Sequence, residues 1–170
     1  AVTRGDIRRL IINIPPRMTK SSVVSVAWPA WSWAQRDISP LSGPQVQFLS
    51  TSYAMNLSTR DAVRSRRLMQ SPWYQARWGQ RFSLTGDQNA KTRYENSEGG
   101  YRLAVSQSSG TTGEGGDVIT VDDPHNVVDI ESDAVRASTV QWWDESLSTR
   151  LNDIQTGAYV IIMQRLFEDD

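Results

Sequence analysis

The sequence predicts an α/β fold: a mostly parallel sheet with helices on both faces and a β-hairpin insertion. Three observations predict it. Four short, β-branched apolar runs recur along the chain, each continuous rather than alternating, which is the pattern of strands covered on both faces. Helical patterns lie between them, and strands alternating with helices build a parallel sheet. A Gly-Gly pair between two polar–apolar runs marks the hairpin. A length of 170 residues, with 22% charged and 38% hydrophobic residues, suits one globular domain with a sizeable core.

Taken in order, the first strand is "RLIINI", Arg9–Ile14. A helix follows over Lys20–Gln35, where Trp28 and Trp31, three apart, share a face that packs on the sheet rather than stacking on bases. "VQFLSTS", Val46–Ser52, is the second strand. Leu57, Ala62, Val63 and Leu68 give the next helix, Asn56–Gln70, its apolar stripe. In "KTRYENSEGGYRLAVS", Gly99-Gly100 turns a hairpin that extends the sheet edge. "QSSGTTGEGGD" reads as a flexible loop. "DVITVD", Asp117–Asp122, is a buried strand, a helix spans about Ser132–Leu151, and "AYVIIMQ", Ala158–Gln164, is the last strand.

The absence of cysteine excludes disulfides and thiolate metal sites. No apolar run approaches the roughly 20 residues of a membrane span, and the start, "AVTRGDIRRL", has no signal-peptide h-region. The net charge of −1 hides an asymmetry. Residues 1–94 hold 14 Lys/Arg against 4 Asp/Glu, and residues 95–170 hold 4 against 15. The basic half either meets a polyanion or is neutralised by the acidic half within the fold. Arg60, Arg64, Arg66 and Arg67 form a basic cluster that suits either DNA or solvent. A lone histidine, His125, without cysteine partners is a poor metal site.

Chemistry concentrates in three places. The first is "IPPRMTKSS", directly after the first strand. A phosphate loop of the form G-x-x-x-x-G-K-[ST] needs backbone N–H groups at a helix N-terminus and a cation that reaches the phosphates. Lys20 and Ser21 occupy the lysine and hydroxyl positions, but Ile14 and Thr19 stand where glycines belong. Pro15 and Pro16 pre-set the backbone instead, and Arg17 adds a second cation. The second place is Asp122 and Asp123 at the tip of the "DVITVD" strand. One carboxylate there suits Mg²⁺ and its neighbour suits the attacking water. The third is Gln164 at the end of the last strand. Ligands of open α/β sheets bind outside the carboxyl ends of the strands, where Lys20, Asp122 and Gln164 would gather.

With these residues in order, nearly the whole chain resembles the ATPase domain of the large terminase subunit of tailed phages. "PPRMTKSSVVSVAWPAW" is similar to that family's PPR-x-x-KS loop, and "STSYAMNLSTRDAVRSRRLMQSPWY" to the strand and helix that follow. "GTTGEGGDVITVDDPH" resembles its Gly-rich approach to Walker B, and "VIIMQRLFEDD" its coupling segment. The resemblance implies a P-loop NTPase fold of the ASCE, RecA-like kind that hydrolyses ATP with Mg²⁺. It implies nucleotide binding by Pro16, Arg17, Met18, Thr19, Lys20, Ser21 and Ser22, metal binding by Ser21 and Asp122, and catalysis by Asp123, Lys20, Arg17 and Gln164. It further implies double-stranded DNA, a portal protein and a small terminase subunit as partners, a homo-oligomeric ring, and a place in the host cytoplasm without a membrane.

The departures from the family pattern carry weight too. Glu114 stands in the Gly-rich approach where many relatives have a trans-acting arginine, and Arg93 and Arg102 are the substitutes at hand. Asp123 stands where many P-loop ATPases have glutamate. Residues 1–170 read as an ATPase core without the family's upstream adenine-contacting glutamine and without its nuclease domain. Two rival readings remain: a non-catalytic scaffold, and a metal-dependent nuclease built on Asp122, Asp123 and Glu131.

Overall fold

The computed structural model describes residues 1–36, 40–109 and 113–166. Seven strands form one sheet: β1 (Arg9–Asn13), β2 (Phe48–Ser52), β3 (Leu84–Asn89), β4 (Arg93–Asn96), β5 (Tyr101–Ser106), β6 (Val118–Asp122) and β7 (Ala158–Met163). Their spatial order is β1-β7-β6-β2-β5-β4-β3. The pairs from β1 to β5 are parallel, and β4 and β3 add antiparallel. All four strands expected from the apolar runs are present.

Helices cover both faces. On one lie α1 (Trp28–Ala34) and α2 (Met55–Gln70), packed through Ala30, Trp33, Ala62 and Met69 onto Phe48, Ala104 and Val118. Trp33 is the keystone, because burying an indole leaves its N–H in need of an acceptor. It donates to the Val46 carbonyl at 2.8 Å and meets Phe82 and Tyr94 edge-on. A short helix, α3 (Pro72–Trp78), which the sequence pattern does not predict, follows α2. On the other face α4 (Asp133–Glu145) brings Trp142 and Trp143 against a cluster with Leu49, Ile119 and Tyr159.

Several details differ from the expectation. The helix expected over Lys20–Gln35 opens with wide, π-type turns at Ser22–Ala27 before α1. Pro29 supplies a reason: its ring crowds the carbonyl four residues back and it has no N–H, so the preceding turn widens. The last helix is shorter than expected, capped by the Ser132 hydroxyl and followed by a tight turn at Leu147–Thr149. Strand β3 is additional. The hairpin is β4–β5, but β5 does more than extend an edge: it pairs in parallel with β2 and lies buried in the sheet. Strand β1 is not covered on both faces as its apolar run suggests. It pairs with β7 alone among the described strands, and Ile11 is 63% exposed. Trp28 packs edge-on against Phe48, whereas Trp31 on the same face remains partly exposed. The middle of the Gly-rich loop, 110–112, and the end of the coupling segment, 167–170, lie outside the described residues.

Strand register aligns the chain ends that carry polar residues. Asn13 is level with Met163, Ile162 with Asp122, and Asp122 with Ser52. The carboxyl ends of β1, β7, β6 and β2 therefore converge on one rim.

Candidate active site

The loop between β1 and the first helix rises from that rim. Pro15 through Thr19 are exposed, whereas Lys20 is 8% exposed. Arg17 and Thr19 adopt left-handed backbone, with φ of 66° and 60°. Thr19 thus occupies, without being glycine, the conformation that glycine adopts most easily. The third non-glycine residue with positive φ among those described is Asp123, at 49°. Left-handed residues cost free energy unless the surroundings hold them, and such strain gathers at functional sites. The bond from Val23 N–H to the Thr19 carbonyl, 3.0 Å, ties the loop to the first helical turn.

Five predicted residues meet at the rim. The Lys20 ammonium is ion-paired with Asp123 Oδ1. The Gln164 backbone N–H donates to the same oxygen at 3.2 Å. The Ser21 hydroxyl donates to Asp122 Oδ1 at 3.1 Å. Ser25, which no motif singled out, donates to Asp122 Oδ2 at 2.7 Å. The signal for it was present: Ser25 lies four residues after Ser21, one helical turn along the same face. Burial raises the Asp122 carboxyl above the usual carboxylate range; the hydroxyls of Ser25 and Ser21 pull it down, while the charges of Asp123 and Asp61 push it up. Arg17, Met18 and Ser22 stand exposed around the loop.

The oxygen set fits Mg²⁺. That ion takes hard oxygen ligands at 2.0–2.1 Å in an octahedron, and adjacent ligands are then about 2.9 Å apart. Ser21 Oγ and Asp122 Oδ1, at 3.1 Å, have nearly that spacing. Glu131 is exposed in the turn before α4. Among the described residues no three His, Cys, Asp or Glu side chains are grouped to hold a metal, which weighs against the nuclease arrangement.

Other candidate residues are placed differently. Arg102 does not reach outward as a trans-acting cation, because strand β5 buries it to 1% exposure. Arg93 is clamped by Glu95 and Glu114 at 2.8 Å and lies over the Tyr101 ring. Arginines of α2 make contacts within the fold. Arg60 and Arg64 both hold Asp61, and Arg66 bonds Asn89 and Ala90 beside β3. His125 sits in the loop after Pro124, beside Trp142 and Trp143.

Solved structures of phage large terminases are similar to this chain in fold. The large terminase of bacteriophage HK97 matches with a TM-score of 0.57 and 12% identity, over 92% of this chain and 29% of that one. That of the thermophilic bacteriophage D6E matches at 0.53 and 9% identity, over 94% and 34%. A mutant large terminase ATPase domain of Thermus phage P74-26 matches at 0.52 and 14% identity, over 92% and 59%. The chain thus spans from under a third to three-fifths of the length of these relatives. No protein-family model and no curated protein matches it. No helix among the described residues is long and apolar enough to cross a membrane. An open, mostly parallel sheet with a basic loop after its first strand and an acid pair after its sixth thus has the P-loop NTPase-like fold of the large terminase ATPase domains.

Proposed function

We propose that this chain is the ATPase module of a viral DNA-packaging motor. The observation that carries the reading is the convergence of Lys20, Ser21, Asp122 and Asp123 at the carboxyl rim, bonded as the pairs Lys20–Asp123 and Ser21–Asp122.

In this reading the left-handed residues at alternate loop positions shape a concave array of N–H groups for phosphate oxygens. Arg17 and Lys20 add positive charge where negative charge develops during phosphoryl transfer. Asp123 takes the proton of the attacking water. Both of its bonds end on Oδ1, which leaves Oδ2 for that water. Lys20 must leave Asp123 to reach a phosphate, so nucleotide entry uncovers the base. Gln164 fixes Asp123 through its backbone N–H, and its side chain is the proposed sensor of the γ-phosphate. Ser21 and Asp122 would hold Mg²⁺, which supplies charge neutralisation at the β- and γ-oxygens. Double-stranded DNA is then the track, copies of the chain form the ring, and the portal protein and small terminase subunit are the partners, in the host cytoplasm. The +10 charge of residues 1–94 supports contact with a polyanion.

Release of labelled phosphate from ATP with Mg²⁺, run beside a plasmid-nicking assay with Mn²⁺, tests the reading. Mg²⁺-dependent hydrolysis without nicking is expected. Nicking without hydrolysis would replace it with the nuclease reading, and neither activity would leave a scaffold.

A further inference from the structure

Beneath α2, next to the rim, the sheet encloses a polar cavity of about 30 Å³. Five charged residues line it: Arg60, Asp61, Arg102, Asp122 and Asp123. Arg60 grips Asp61 through two bonds of 2.9 Å, and Asp123 is paired with Lys20. That leaves one cation and one anion of the five without an ionic partner, Arg102 and Asp122. Arg102 is 1% exposed, and none of its three guanidinium nitrogens has a hydrogen-bond partner. Asp122 is 9% exposed and accepts only from the two serine hydroxyls.

A buried guanidinium without acceptors costs several kcal/mol, so native structures satisfy such groups directly or through water. A water needs roughly 10–15 Å³ of such space and two to four polar partners. By volume the cavity has room for about two waters. Arg102, Asp122 and the hydroxyls of Ser50, Ser52 and Thr120 supply the partners. The Ser52 hydroxyl is itself buried without a partner.

We propose that Arg102 is a positioning residue for Asp122, joined to it by one or two waters locked in this cavity. The bridge fixes the carboxylate from behind while its front edge faces Ser21. It explains why a strand buried on both faces carries an arginine. Its consequence for metal binding rests on the ATPase reading, whereas the bridge itself does not.

Three measurements on the whole chain test it. A crystal structure at about 1.5 Å should show water within 3.2 Å of both an Arg102 nitrogen and an Asp122 oxygen. A urea-unfolding cycle of Arg102→Met, Asp122→Asn and the double variant should show coupling of about tenfold or more in the unfolding constant. Electron paramagnetic resonance of Mn²⁺ with ADP should show about fivefold weaker binding in Arg102→Met, with recovery in Arg102→Lys. A dry cavity or an additive cycle overturns the bridge. Mn²⁺ binding unchanged in Arg102→Met, where the wild type binds, overturns the positioning role. A wild type that binds no Mn²⁺–ADP sinks the ATPase reading instead, and the water and the cycle then decide for Arg102.

Discussion

Thr19 is the residue whose replacement says most about the loop. Its φ of 60° places a β-branched residue in left-handed backbone. That conformation costs an ordinary L-residue about 1–2 kcal/mol, which glycine does not incur. Glycine in turn loses more freedom on folding, about 0.4–1 kcal/mol. Thr19 is exposed, and its structural contribution is the carbonyl that receives Val23 N–H, which any residue can supply. Thr19→Gly should therefore stabilise the chain by about 0.5–1 kcal/mol, or roughly 1–4 °C in Tm for a domain of this size. Thr19→Ala, which keeps the Cβ, should stay near the wild type. Urea and thermal unfolding of the three proteins, beside titration with Mg²⁺ and ATP, read both quantities. Nucleotide binding should survive the glycine, because the change restores the residue usual at that loop position. If Thr19→Gly loses about 1 kcal/mol or more, the loop does not use the left-handed turn and the account of its missing glycine fails.

Further expectations concern the rim and the hairpin. Lys20→Ala should remove hydrolysis and leave the melting transition cooperative, since its one ion pair lies at a loop edge. Asp123→Asn should bind Mg²⁺–nucleotide nearly as well as the wild type and turn over about 10²-fold more slowly or worse, because asparagine tolerates left-handed backbone but takes no proton. Single-turnover kinetics beside nucleotide titration separates those effects, and equal losses in both would remove the division of roles. Asp122 governs the pH dependence. A carboxyl raised in the folded state, here chiefly by burial, stabilises the fold below its unfolded pKa and loses that contribution as pH rises through the folded value. Asp122→Asn should therefore gain in Tm over the wild type as pH climbs above about 4 in Mg²⁺-free buffer, and a gap independent of pH would contradict the assignment. At the hairpin a Cβ on Gly100 would stand 1.9 Å from the Pro44 carbonyl oxygen, which belongs to backbone and cannot swing away. Gly100→Ala should cost about 2–4 kcal/mol by chemical denaturation while nucleotide affinity stays unchanged.

Much of this molecule was legible from residue types alone. Strands β2, β6 and β7 announced themselves as short runs rich in apolar and β-branched residues without polar alternation, and β2 and β6 are buried throughout. The same signal misled at β1, whose apolar run meets a sheet edge among the described residues. Composition reports what a strand is built to pack against, not which of its neighbours lie within the described chain. Strand β3, "LTGDQN", carried no signal at all: it is polar and outermost, and it forms because β4 offers it an edge. The rim was legible because strand register and chain order together bring loop and acid pair into one place. Ser25 carried only its spacing from Ser21, and Arg102 read as an outward cation, for a different reason. Each is defined by what it faces across the sheet or helix, and only packing reveals that Arg102 points inward.

The three left-handed residues bear on how such a site persists. Arg17, Thr19 and Asp123 are the described non-glycine residues with positive φ, and all flank the same rim. Two are held by the phosphate-type loop and one by the strand opposite, so the strain is divided between elements that must stay in register. Asp123 is fixed at both ends of its backbone, its N–H to the Ile162 carbonyl and its carbonyl to Tyr53 N–H. Those bonds run to β7 and to the segment after β2, so Asp123 is located by the neighbours of β6 rather than by its own loop. A chain that kept the acid pair but lost β7 would keep the residues and lose the geometry. Asp123 is also tied through its Oδ1 to the Gln164 N–H, just past the end of β7. Any displacement of Asp123 must therefore be felt at Ile162 and Gln164.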